Sequence, residues 1–157
     1  MTVWAALALL ASAAAPVACP HAGNSVVVDA ATRVLVLCEA GSPTRTFGVH
    51  LGRGGVGKRT AGDEKVPLGM FELGVPRHSE QFGTFIPIAY PTAEQRKAGY
   101  TGDGVGVHGP HRYLRWLGPL NNVFASTAGC VGVASDDEID AIARWVTANH
   151  VGRIEIR

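Results

Sequence analysis

The sequence predicts a mainly β fold, of the β-rich α+β class, with one principal helix. Short β-branched runs recur between turn residues, 20 Gly and 9 Pro punctuate the 157 residues, and one stretch alone joins a helix cap to an amphipathic repeat. The length suits a single domain with its own core and excludes a two-domain enzyme. At 46% hydrophobic residues the chain is too apolar for a disordered one. A formal net charge of +1, with the basic residues scattered, removes the electrostatic footprint of a nucleic-acid binder.

The elements follow in order. Residues 3–15, VWAALALLASAAA, have the length and composition of a signal-peptide core and fall short of the ~20 residues that span a bilayer. A signal peptide is therefore expected over residues 1–18. Pro16-Val17-Ala18-Cys19 partly resembles a lipoprotein box, so lipid anchoring at Cys19 is one expectation. A Cys19–Cys38 disulfide, which leaves Cys130 free, is the alternative. Ser25–Val28 and Arg33–Leu37 read as a hairpin across a polar connection, and Arg45–Leu51 as a third strand. Met70–Val75 and Thr84–Tyr90 read as further strands, the second at a sheet edge because Pro87 cannot donate to a ladder. Gly104–His108 is a short glycine-rich strand. Ser135 with Glu138 forms a capping box, and Ile139, Ile142, Ala143 and Val146 repeat at helical spacing up to a stop at Gly152. Arg153–Ile156 alternates as a closing strand.

Two glycine-rich segments mimic nucleotide motifs. Gly52–Arg59 nearly matches a P-loop, but Arg59 replaces the magnesium-binding hydroxyl and the turn-like Thr60–Asp63 follows instead of a helix. Gly104–Gly109 matches GxGxxG without a surrounding βαβ unit, so no nucleotide is expected. His108, His111 and Cys130 lack the close ligand pairs and fourth ligand usual for zinc, and no metal is expected. Asp63 and Lys65 read as turn determinants.

The residues that carry chemistry are His108 and Cys130. A cysteine nucleophile acts as its thiolate, and an imidazole is the side chain suited to take the proton near neutral pH. His108-Gly109 followed by Ser126-Thr127-Ala128-Gly129-Cys130 resembles the signature of the L,D-transpeptidase catalytic domain family, of the YkuD type. Val27-Val28-Asp29, Gly62-Asp63-Glu64-Lys65-Val66-Pro67-Leu68-Gly69-Met70-Phe71 and Tyr90-Pro91 resemble that family's further motifs in the same order, so the resemblance covers residues 24–157.

The resemblance implies a sandwich-like β domain in the bacterial envelope, with the helix after the nucleophile, acting on peptidoglycan stem peptides without a cofactor. Cys130 is then the nucleophile, His108 the general base and acid, and the Gly109 carbonyl the group that orients the imidazole. Gly129, Thr127, Arg112 and Tyr90 are the expected substrate-binding residues, Tyr90 having core packing as its other reading. Many family members carry His and Arg where this chain has Ala128 and Gly132, and Arg112 or Arg115 stands as a candidate replacement anchor. That departure leaves three readings: a transpeptidase; a carboxypeptidase or murein–lipoprotein amidase of the same fold, with water or an envelope protein in place of a second stem; and a catalytically silent wall-binding module.

Overall fold

The computed structural model describes residues 17–20, 22–120 and 128–157. Nine strands form a continuous order, β4-β9-β1-β2-β3-β8-β7-β6-β5. They are β1 (Ser25–Asp29), β2 (Val34–Glu39), β3 (Ser42–His50), β4 (Gly69–Glu72), β5 (Arg77–Ser79), β6 (Gly83–Pro87), β7 (Gly106–His108), β8 (Val131–Val133) and β9 (Arg153–Ile156). Two α-helices, α1 (Ala93–Lys97) and α2 (Asp136–Ala148), and a 3-10 helix at Arg112–Leu120 complete the described elements. The mainly β class and single principal helix are as predicted.

The opening hairpin forms because Asp29 accepts from both the amide and the hydroxyl of Thr32, each at 2.8 Å, closing the polar connection. The following hairpin turns on Ala40 and Gly41, both at positive φ, the twist that matches two right-handed strands. β9 adds parallel to β1, and β4 pairs with β9.

β3 belongs to both halves of the sheet: its first part pairs with β2, and Val49 and His50 pair with β8. The sheet then curls until its far parts meet. Gly74 N donates to Pro87 O at 2.7 Å and Ala89 N to Glu72 O at 3.0 Å, so the expected sandwich is one sheet folded over. The interior is filled by Val26, Val28, Leu35, Leu37, Ile86, Val107 and Val131 from the sheet, and by Ile139, Ile142 and Val146 from α2. Ser135 Oγ caps α2 by accepting from Glu138 N at 3.2 Å, while Glu138 reaches back to the amide of Ala134.

Two readings need correction. The strand containing Pro87 is not at an edge: β6 lies between β5 and β7. The proline is tolerated because pairing with β5 ends at Arg77↔Phe85, two residues before it. Sequence reading also passed over α1, which carries a full capping box between Thr92 and Gln95. Cys19 and Cys38 form a disulfide with Cα atoms 5.6 Å apart, and Cys130 stands outside it. The sulfur in that bond is the one a lipid thioether at Cys19 requires.

Candidate active site

The register of the second half of the sheet builds the site. Arg77 pairs with Phe85, Phe85 with His108, His108 with Gly132, and Gly132 with His50, making one row across five strands. Opposed residues project to the same face of a sheet, and so do residues two apart along a strand. Cys130 stands just before β8, two residues ahead of Gly132, and its thiol meets the backbone of Gly104 and Gly106 at the entry to β7, the strand that bears His108. The alternate residues Val107, Val131 and Val133 enter the core on the opposite face.

His108 is 3% exposed. Its Nδ1 lies 2.7 Å from the Gly109 carbonyl oxygen. A carbonyl only accepts, so Nδ1 carries the hydrogen and Nε2 the lone pair, the tautomer a general base needs. Nε2 is buried without a hydrogen-bond partner among the described residues. The ring of Phe82, from the turn between β5 and β6, stacks on the imidazole at 3.8 Å between centroids. Gln81 holds that turn in place, accepting from Arg112 N at 2.8 Å while its side chain meets His111 Nε2 at 2.8 Å. Burial is the main force lowering the His108 pKa, to about 4; the Gly109 carbonyl opposes the shift and His111 adds to it.

The Cys130 thiol is half-buried and lies 3.4 Å from the Gly104 carbonyl oxygen. Burial pushes its pKa up, opposed by a backbone hydrogen bond at Gly106 and by the charge of Lys58. Thiol and imidazole therefore both rest neutral, and the arrangement suits proton transfer as the sulfur attacks. Glycine makes the approach: a Cβ on Gly106 would lie 2.3 Å from Phe85 Cζ, and one on Gly129 2.7 Å from the Lys65 carbonyl oxygen. Gly129 also has φ +116, where other residues are strained.

The other expected site residues are placed as follows. Arg112 is exposed at the start of the 3-10 helix, its guanidinium about 3.1 Å from where a Cβ on Gly83 would stand. Tyr90 is 3% exposed and packs edge-to-face on Phe71, its hydroxyl donating to the Lys58 carbonyl at 3.1 Å. Tyr90 therefore takes its other reading, a packed residue beneath the loop that bears Lys58, and does not line a cleft. Thr127 and the preceding Ser126 lie outside the described residues, as does the Arg115 side chain. Sequence reading missed His50, Phe82 and Lys58. The signal for Lys58 was present, a lysine in a glycine-rich run, but the failed P-loop match absorbed it.

A mainly β domain that brings a cysteine thiol to the entry of the strand bearing a buried histidine is a fold suited to cysteine acyl transfer. A family model described as the L,D-transpeptidase catalytic domain matches residues 23–156, and the chain belongs to that family. Solved structures share the fold. The helical cell shape determining protein Pgp2 of Campylobacter jejuni is 19% identical, with TM-score 0.66, over 86% of this chain and 47% of that one. Bd1075 of Bdellovibrio bacteriovorus is 18% identical, with TM-score 0.63, over 85% of this chain and 47% of that one. L,D-transpeptidase 3 of Mycobacterium tuberculosis, solved with a faropenem-derived adduct, is 12% identical, with TM-score 0.52, over 86% of this chain and 60% of that one. This chain thus spans about half the length of Pgp2 and Bd1075. Comparison with curated protein sequences returns no match.

Proposed function

We propose that the protein is an exported cysteine-dependent L,D-transpeptidase acting on peptidoglycan stem peptides. The observation that carries this reading is the Cys130 thiol set against the segment that enters β7, the strand bearing the buried His108, in a chain of the L,D-transpeptidase family. Membership of that family supports peptidoglycan as the substrate and the cell envelope as the place of action. The Cys19–Cys38 disulfide and the apolar stretch at residues 3–15 support export to an oxidising compartment after removal of residues 1–18. Among the described residues no helix is long and apolar enough to cross a membrane.

In this mechanism His108 Nε2 takes the Cys130 proton as the sulfur attacks the carbonyl between the diamino acid and terminal D-Ala of a stem peptide. The amides of Gly129 and Cys130 donate to the developing oxyanion. His108 returns the proton to the leaving amine, D-Ala departs, and a thioester remains on Cys130. An amine of a second stem then attacks the thioester, regenerating the thiol and leaving a 3-3 cross-link. Arg112 and Thr127 take substrate-binding roles.

The test is mass spectrometry of products from purified disaccharide-tetrapeptide, beside Cys130→Ala. Cross-linked dimer and free D-Ala from the wild type alone are the expected result. Tripeptide alone would make the protein a carboxypeptidase, and unchanged substrate would contradict the proposal.

A further inference from the structure

Lys58 is a buried cation set behind the nucleophile. Its side chain is 4% exposed, and Nζ donates to Asp63 Oδ1 at 2.9 Å and to the Thr60 carbonyl at 3.2 Å. An ammonium has three N–H bonds, and those two contacts leave one over. Nζ stands 3.5 Å from where a Cβ on Gly129 would sit, immediately before Cys130, while Lys58 Cε lies 3.1 Å from a Cβ position on Gly102. Glycine at both places admits the lysine chain between the nucleophile loop and the segment leading to β7.

Asp63 does not cancel this charge in a simple pair. Its carboxylate also accepts from the amides of Arg59 at 2.8 Å, Thr60 at 3.0 Å and Lys65 at 3.1 Å. Burial pushes the Asp63 pKa up, and those backbone bonds together with Lys58 outweigh it, holding the carboxyl well below the usual range. The anion is spread over a ring of backbone donors from its own loop, and the ammonium is the member of the pair that reaches Gly129 and acts on Cys130. Tyr90 supports the same loop through the Lys58 carbonyl.

We propose that Lys58 is a positioning residue for Cys130: its ammonium, held by Asp63 beneath Gly129, favours the sulfur anion and fixes the loop that presents it. The proposal rests on Cys130 being the nucleophile. The rationale is electrostatic. A unit charge a few ångströms from a half-buried sulfur acts through a medium less polar than water, and so favours the thiolate without touching substrate. The other ionisable groups about the thiol are His108 on β7, Asp63 and Lys65 on the Lys58 loop, and Asp103 beside Gly104.

The experiment is the pH dependence of iodoacetamide alkylation, read by peptide mass at Cys130, in wild type, Lys58→Met and Lys58→Arg. The sulfur forms the new C–S bond and iodide leaves, so the rate follows the thiolate. The expected midpoint rises by about one pH unit in Lys58→Met, which is about tenfold slower alkylation at pH 7, and stays near wild type in Lys58→Arg. An unchanged midpoint in folded Lys58→Met overturns the proposal. A wild-type Cys130 that alkylates no differently from the unfolded chain overturns the nucleophile reading itself. Should Lys58→Met fail to fold, the wild-type Lys58 13Cε resonance decides: a shift at the Cys130 midpoint, lost in Cys130→Ser, supports the proposal, and a flat resonance overturns it.

Discussion

The two faces of the short strands β6, β7 and β8 do opposite work. Toward α2 stand Ile86, Val107, Val131 and Val133, close-packed, with Thr84 donating to Asp140 of α2 at 2.6 Å. On the other face stand Phe85 and His108 with Gly106 and Gly132, and Cys130 stands at its margin just before β8. Burial on the first face contributes stability through area removed from water. Burial on the second shifts charge equilibria, keeping an imidazole and a thiol neutral side by side. Alternation along strands of three to five residues is enough to separate the two tasks.

Substitutions that strike one face and spare the other test this contrast. The largest effect is expected from Cys130→Ala, which should lower turnover by at least about a thousandfold while leaving the melting temperature within a few degrees of wild type. Ile86→Ala, on the packed face, should do the reverse. We expect a loss of about 3 kcal/mol in urea unfolding, with specific activity of the folded protein within about twofold.

The polar face has its own stability signature, in pH. The folded chain refuses a proton on His108 down to about 4, whereas the unfolded chain takes it up near the ordinary 6.5. That stability is present in full above 6.5 and is lost as pH falls toward 4, by roughly 3 kcal/mol. Urea titrations at successive pH values should show the slope in wild type and its absence from this window in His108→Gln. Losses from carboxylates such as Asp63 fall lower, below the ordinary 3.8. The smallest effect is expected where the faces meet. Gly106→Ala forces a Cβ to 2.7 Å from the Ile86 carbonyl oxygen as well as into Phe85. About 2 kcal/mol of destabilisation and slower Cys130 alkylation should appear together.

Much of this contrast was legible in the residues. β1 and β2 announce themselves by β-branched runs, β9 by alternation, and α2 by its cap and by four apolar positions that are all buried. The hairpin positions of Cys19 and Cys38 made their pairing one of two readings, and the structure forms it. β5 and β8 were not legible: three residues carry no measurable period, and neither lies in a run like Gly104–His108, whose alternating Gly and Val marked the equally short β7. Their register, which makes the active face, comes from neighbours far along the chain. The curl that joins Glu72 and Gly74 to Pro87 and Ala89 likewise has no local signal. His108 and Cys130 were found through glycine punctuation and ordered motifs. Lys58 and Phe82 were not, since a buried ammonium is recognised only by the groups around it and a stacked ring only by the imidazole it covers.

The most direct test of the account is the rate of carbapenem acylation, followed by intact-protein mass and mapped to its peptide. The account predicts one adduct on Cys130 of the wild type, and a rate at least about a hundredfold lower in His108→Gln, the usual contribution of a general base. An adduct that forms equally fast without the imidazole, or no adduct on a folded wild-type protein, would contradict it.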